Sequence, residues 1–270
     1  MISETIQNND SNGIPLTKRR LLYIDLIKAW AIICVVMGHL LIFNFYSIGD
    51  DSVLFGLIYS FHLPLFAFAS GLVTNVSKFC FTKRIKILVP LFCFGLAYTY
   101  LIGKDLSYFL YDDMKCGYWW LWVMAIFYVC LYVIKKTHIK QIAGLCLIEV
   151  LFVLLNHFLP IDVKNMCCIA SCAGLWPWLC LGILFNKKTG YLLGNHNNFG
   201  MFAIGIFWLL AFWTNATVHI KGLHYLVSLF AVIFFVWLFY SLDKKQYALT
   251  KKWGGKLDSS LCKYTCRIIG

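Results

Sequence analysis

The chain has 270 residues, of which 61% are hydrophobic and only 13% charged. A soluble domain of that size cannot hide so much apolar surface, which excludes a water-soluble fold and makes lipid the solvent. The net charge of +12 would suit nucleic acid, but the basic residues fall in alternate loops between apolar runs, so nucleic acid is excluded as a partner.

Residues 1–20 are polar and are expected to form a disordered cytoplasmic N-terminus. They do not read as a signal peptide, because no small-residue cleavage site follows a short apolar core. The first apolar run, LLYIDLIKAWAIICVVMGHLLIFNF from Leu21 to Phe45, is long enough to cross a bilayer yet contains Asp25, Lys28 and His39. Ionisable groups at that depth cost a few kcal/mol, so each is a functional-site hypothesis by default. At about 100° per residue, Lys28 and His39 lie about 60° and 40° from Asp25, so all three project from one face. Lys28 and His39 are separated by roughly 16 Å along the axis, which puts the basic group near one interface and the imidazole past the midplane.

The second run carries Ser60-Phe61-His62-Leu63-Pro64-Leu65-Phe66-Ala67-Phe68-Ala69-Ser70-Gly71. A proline there removes a backbone donor, and the carbonyl it frees needs a partner from a neighbouring helix or a polar cavity. Pro64 together with His62 points to a cavity. Pro64, Ser70 and Gly71 also suit a kink and close helix packing. A basic cluster, Lys83, Arg84 and Lys86, then leads through Leu88-Val89-Pro90 into a third run.

The runs at 22–45, 53–74, 85–103, 117–134, 141–159, 166–185, 199–214 and 223–242 are the candidate spans. Each is continuous and near 20 residues, which favours helices over barrel strands that alternate over about ten. Tyr118, Trp119 and Trp120 read as an interfacial belt at the start of the fourth. Lysine and arginine crowd one set of loops, at 18–20, 78–86, 135–140, 187–188 and 244–267, against Lys104, Lys115, Lys164 and Lys221 in the other set. Both termini are therefore expected in the cytoplasm. The fold class is an all-α, polytopic transmembrane helical bundle of about eight spans.

The twelve cysteines show no Cys-x-x-Cys pair and no metal-ligand spacing, and read as apolar fillers with no metal site. Asn215-Ala-Thr217 matches a glycosylation triplet that is short and chance-prone. His157, His196, His219 and His224 sit near span ends or in loops and are given no role.

The ordered set of Asp25, Lys28 and His39, then residues 60–71, then the basic run ending at 83–90, resembles the integral-membrane acyltransferase 3 family, whose members O-acylate cell-surface sugars and related acceptors. Trp119 and Trp120 also resemble the family's tryptophan-rich start of a fourth helix. Lys28 stands where arginine is usual, and Lys83 and Lys86 where an arginine pair is common; lysine keeps the charge but loses the bidentate fork. The resemblance implies a cytoplasmic acyl-CoA donor, most often acetyl-CoA, as co-substrate with no bound cofactor, and a sugar or glycan acceptor. It implies His39 as catalytic base with Asp25 and Lys28, His62, Pro64 and Ser70 lining the substrate, and Lys83, Arg84 and Lys86 on the donor phosphates. The expected organisation is an acyltransferase-like domain over 21–245 and a basic cytoplasmic tail over 246–270. That tail resembles the family's run into its last helix, and the last helix itself is expected to be missing from this chain. The expected location is the inner, cytoplasmic membrane. A transporter or flippase of a sugar-linked lipid stays open, because intramembrane charges and proline-broken helices also suit one, as does an inactive truncated homologue.

Overall fold

The computed structural model describes residues 22–44, 52–112, 114–185, 198–218 and 222–268, and all the secondary structure in them is helical. The N-terminal residues expected to be disordered lie outside the described residues. Helix α1 spans Leu22–Asn44, α2 Val53–Tyr59, α3 His62–Leu72, α4 Phe81–Arg84, α5 Leu88–Leu101, α6 Leu106–Tyr111 and α7 Trp119–Lys136. Then come α8 at Gln141–Phe158, α9 at Ile161–Cys167, α10 at Ile169–Phe185, α11 at Asn198–Val218 and α12 at Leu223–Ile268. A 3₁₀ turn over Ile85–Ile87 joins α4 to α5.

Seven of these stretches are long and apolar enough to cross a membrane, and the bent pair α9–α10 makes an eighth if counted as one span. The 45° bend there falls at Cys168, whose φ of 48° is left-handed and ends α9. Leucine, isoleucine, valine and phenylalanine side chains such as Ile32, Val36, Phe94, Leu147 and Phe207 stand exposed on the spans. That is the pattern of a surface solvated by lipid. The chain is thus an all-α, multi-span membrane protein, as the apolar runs predict. Helix α12 runs through Leu223–Ile268.

The described chain divides within α3 into two compact units. The first holds α1, α2, most of α3, α11 and α12. Its core is aromatic. Phe61 stacks on Phe235 at 4.6 Å, and Trp208 meets Phe235 edge-on at 5.3 Å. The N-terminal end of α1 is fixed by Asp243 of α12, whose Oδ2 accepts the Tyr23 amide at 3.4 Å. That amide is one of the four a helix start leaves without an internal partner, and a carboxylate suits the positive end of the helix dipole.

The second unit holds the end of α3 through α10. Trp176, fully buried, donates its indole N–H to Leu145 O at 3.0 Å, tying α10 to α8. Gly71 lets α3 lie against the backbone of α10 at Leu179, Gly182 and Ile183. Lys115 is fully buried, and its Nζ donates to the carbonyls of Leu110, Asp112 and Asn165 at 2.6–2.8 Å. Three carbonyls replace the water the ammonium lost, so this lysine knits the loop before α7 to α9.

Candidate active site

Helix α1 packs along a stripe of buried residues, Ile24, Ile27, Ala31, Cys34 and Gly38. Their spacing of three and four residues is that of a helix seam. Asp25, Lys28 and His39 are each half-buried. Lys28 and His39 lie about 80–100° around the helix from the centre of the seam, so they stand beside it, at the edge of the packed surface. Asp25 occupies the first turn of α1, where a carboxylate also favours the helix dipole.

Beside His39 the seam opens toward α2. A Cβ on Gly38 would stand only 2.9 Å from the Tyr59 ring, so glycine at 38 is what allows that ring to lie against α1. Tyr59 in turn packs edge-on to His62, with centroids 4.8 Å apart. His39 follows Gly38 directly in α1, beside the position where the Tyr59 ring lies. The structure therefore brings His39, Tyr59 and His62 into one neighbourhood within the first unit.

His62 is 97% buried by exposure of 3%, and its Nδ1 lies 2.8 Å from Ile58 O. A carbonyl oxygen can only accept, so Nδ1 carries the hydrogen. In the neutral ring the lone pair is then on Nε2, which makes no hydrogen bond among the described residues.

Pro64 sits in the first turn of α3, where its missing N–H is least costly. The Ser60 carbonyl it frees accepts the Ser228 hydroxyl of α12 at 2.5 Å. A neighbouring helix thus meets the need that proline creates. Ser70 is buried, and its carbonyl accepts the Thr74 hydroxyl at 2.7 Å.

The basic cluster lies in the second unit. Lys83 and Lys86 are exposed, whereas Arg84 is half-buried with its guanidinium 6.0 Å from the Tyr128 ring centroid. Lys135 closes the same corner by donating to Phe79 O at 2.7 Å. Cys80, fully exposed, has its thiol held below the ordinary range by the Thr82 hydroxyl first, then by the Lys83 amide and the charges of Lys83 and Lys135.

A cavity of about 690 Å³ opens within the first unit. Tyr59 and Ser60 line it from α2 and the turn after it, Asn215 and Thr217 from α11, and His224 from the start of α12. Sequence reasoning passed over this group. In the sequence, Asn215 and Thr217 form only a glycosylation triplet, and His224 is only a span-end residue. It also passed over Glu149, an acid inside the fifth span whose Oε2 is buried with no partner among the described residues. The rule that singles out Asp25 would have found it.

Many apolar spans, the second of them interrupted at Ser60–Phe61, define a polytopic membrane protein. Comparison with known proteins is more specific: the family model Acyl_transf_3, described as an acyltransferase domain, matches residues 21–268, and the chain belongs to this family. The nodulation protein NolL of Sinorhizobium fredii (strain NBRC 101917 / NGR234) is 28% identical to it over 183 residues, covering 60% of this chain and 47% of NolL. The chain thus spans about half the length of that curated relative. No solved structure matches it.

Proposed function

We propose that the protein is a membrane O-acyltransferase that moves an acyl group, acetyl in the simplest case, from cytoplasmic acyl-CoA to a hydroxyl of a surface polysaccharide or lipid-linked sugar. Membership of the acyltransferase family over residues 21–268 carries this reading. The neighbourhood of His39, Tyr59 and His62 supports it.

A sugar hydroxyl is too weak an acid to attack a thioester unaided. His39 takes its proton as the oxygen bonds to the acyl carbon, giving a tetrahedral intermediate. The carbon–sulfur bond then breaks, and the CoA thiolate takes a proton, so ester and free CoA leave. The Ile58 carbonyl fixes the His62 tautomer, which leaves Nε2 as a hydrogen-bond acceptor for the acceptor hydroxyl. Lys28 supplies positive charge for the donor, and Asp25 lowers the cost of that charge in the membrane. Lys83, Arg84 and Lys86 are assigned the donor phosphates, as charge-assisted hydrogen-bond donors. The protein sits in the cytoplasmic membrane with its N-terminus inside, the side on which basic loops collect.

The test is transfer of acetyl from acetyl-CoA to cell-surface glycan, read as a mass increment of one acetyl group. His39→Ala should lower the rate by about 10²–10⁴-fold at unchanged expression. Full activity in that variant would remove His39 from the role. A wild type that moves a sugar-linked lipid with no need for acyl-CoA would replace transferase by transporter.

A further inference from the structure

We propose that the cavity of the first unit is the acceptor subsite and that it is built for an uncharged pyranose ring. This rests on the transferase reading above and names where its second substrate sits. The volume of about 690 Å³ falls within the roughly 300–1,000 Å³ of small-molecule sites. The argument lies in the lining. Tyr59, Phe212 and Trp213 supply aromatic rings, and Ser60, Asn215, Thr217 and His224 supply polar groups.

A pyranose asks for both. Its axial C–H bonds form an apolar face that packs on an aromatic ring, while hydroxyls at its rim both donate and accept. Trp213 is 60% exposed, so its ring is accessible for such packing. The Asn215 amide and the His224 imidazole each offer a donor and an acceptor, and neither makes a hydrogen bond among the described residues. The hydroxyls of Ser60 and Thr217 already donate, to Leu57 O at 2.7 Å and Trp213 O at 3.0 Å. They present lone pairs, which suits sugar O–H groups.

The described lining carries no formal charge. Among the described residues, no lysine, arginine, aspartate or glutamate lines the cavity. The described lining is thus polar and aromatic, which suits a neutral polyol. The cavity also shares a wall with the chemistry. Tyr59 lines it and packs on His62, beside Gly38 and His39. An acceptor seated here would therefore place a hydroxyl next to the ring that packs on His62 and lies against α1 at Gly38.

The test uses the full chain in lipid nanodiscs, with methyl glycosides of glucose, galactose, rhamnose and N-acetylglucosamine as probes. Saturation-transfer NMR should show contact with at least one of them. Trp213→Ala and the pair Asn215→Ala with His224→Ala should each cut that signal at least fivefold. Thr214→Ala, on the same helix but outside the lining, should leave it intact. Thermal unfolding of each variant establishes that it is folded. In acetyl transfer, the same variants should raise the acceptor KM about tenfold with the donor KM unchanged. Two results overturn the proposal: no probe contacts the wild type, or contact survives in the folded variants. The two readings fail separately. Glycoside contact that depends on these residues, without any acetyl transfer, keeps the cavity and removes the transferase. Acetyl transfer with an unaltered acceptor KM keeps the transferase and removes the cavity.

Discussion

Gly71→Ala is the substitution whose consequence the geometry states most sharply. A methyl at position 71 would run into the Leu179 carbonyl of α10 and stand 2.9 Å from both Gly182 Cα and Ile183 N. Ordinary contact begins near 3.4 Å, so even the looser two neighbours must retreat by half an ångström, and the carbonyl by more. All three are main-chain atoms of one helix. None can swing aside as a side-chain tip would, so α3 and α10 must part along their contact. Overpacking of this kind costs about 1–3 kcal/mol, a factor of roughly 5–150 in the folded-to-unfolded ratio. Close approach between small residues is also a main source of helix association in lipid, where no hydrophobic force drives it. Thermal unfolding in detergent should show a lower midpoint and a lower yield of monodisperse protein. Gly174→Ala is the control: it lies on the same α10, with nothing within 4 Å of the added methyl, and should be neutral or slightly stabilising. An unchanged midpoint for Gly71→Ala would refute the close approach of the two helices.

Three further substitutions follow from the same structure. Ser228→Ala removes the donor to the Ser60 carbonyl and should cost about 0.6–1.7 kcal/mol; in a Pro64→Ala background, where residue 64 regains its own N–H, the loss should shrink, and equal losses in both backgrounds would break the link between proline and serine. Lys115→Met leaves three buried carbonyls without their donor and should cost about 2–4 kcal/mol, seen as faster proteolysis between α6 and α7. Cys80 should react with maleimide at a lower pH than an ordinary thiol, because a depressed pKa makes thiolate available sooner as pH rises; Thr82→Ala should move that profile up. With an impermeant maleimide, Cys80 should label in inverted vesicles and not in intact cells, and the reverse would overturn a cytoplasmic N-terminus.

Much of the fold is legible in the sequence because lipid imposes one strong rule per span. Backbone polar groups must be satisfied within the segment, so each span announces itself as a continuous apolar run. The breaks are less legible. Pro64 marks a disrupted second span, yet the helix pauses at Ser60–Phe61, ahead of the proline. The break at Cys168 carries no glycine or proline and shows only as a left-handed φ. The site is half legible. Asp25, Lys28 and His39 stand out because charge inside an apolar run is rare. Ser228, Asp243 and Lys115 do not, because each finds its partner across a long stretch of chain or in a loop, and no local pattern encodes that pairing. Asn215 and His224 are ordinary polar residues at span ends, and only the convergence of α2, α11 and α12 makes them neighbours.

Polar groups are distributed differently in the two units. In the second, Lys115, Lys135 and Trp176 donate to main-chain carbonyls and hold helices together, and the unsatisfied atoms, Trp122 Nε1 and Glu149 Oε2, sit on separate helices. In the first, the indole nitrogens of Trp30 and Trp208 are both buried without a partner among the described residues, and both rings pack on Phe235. Each such group costs about 1–3 kcal/mol. A bundle selected for stability alone would replace two unpaired indoles around one phenylalanine by phenylalanines. Local violations of this kind gather at functional sites. With His62 Nε2, Asn215 and His224 in the same unit, they leave hydrogen-bonding capacity there beyond what the fold uses.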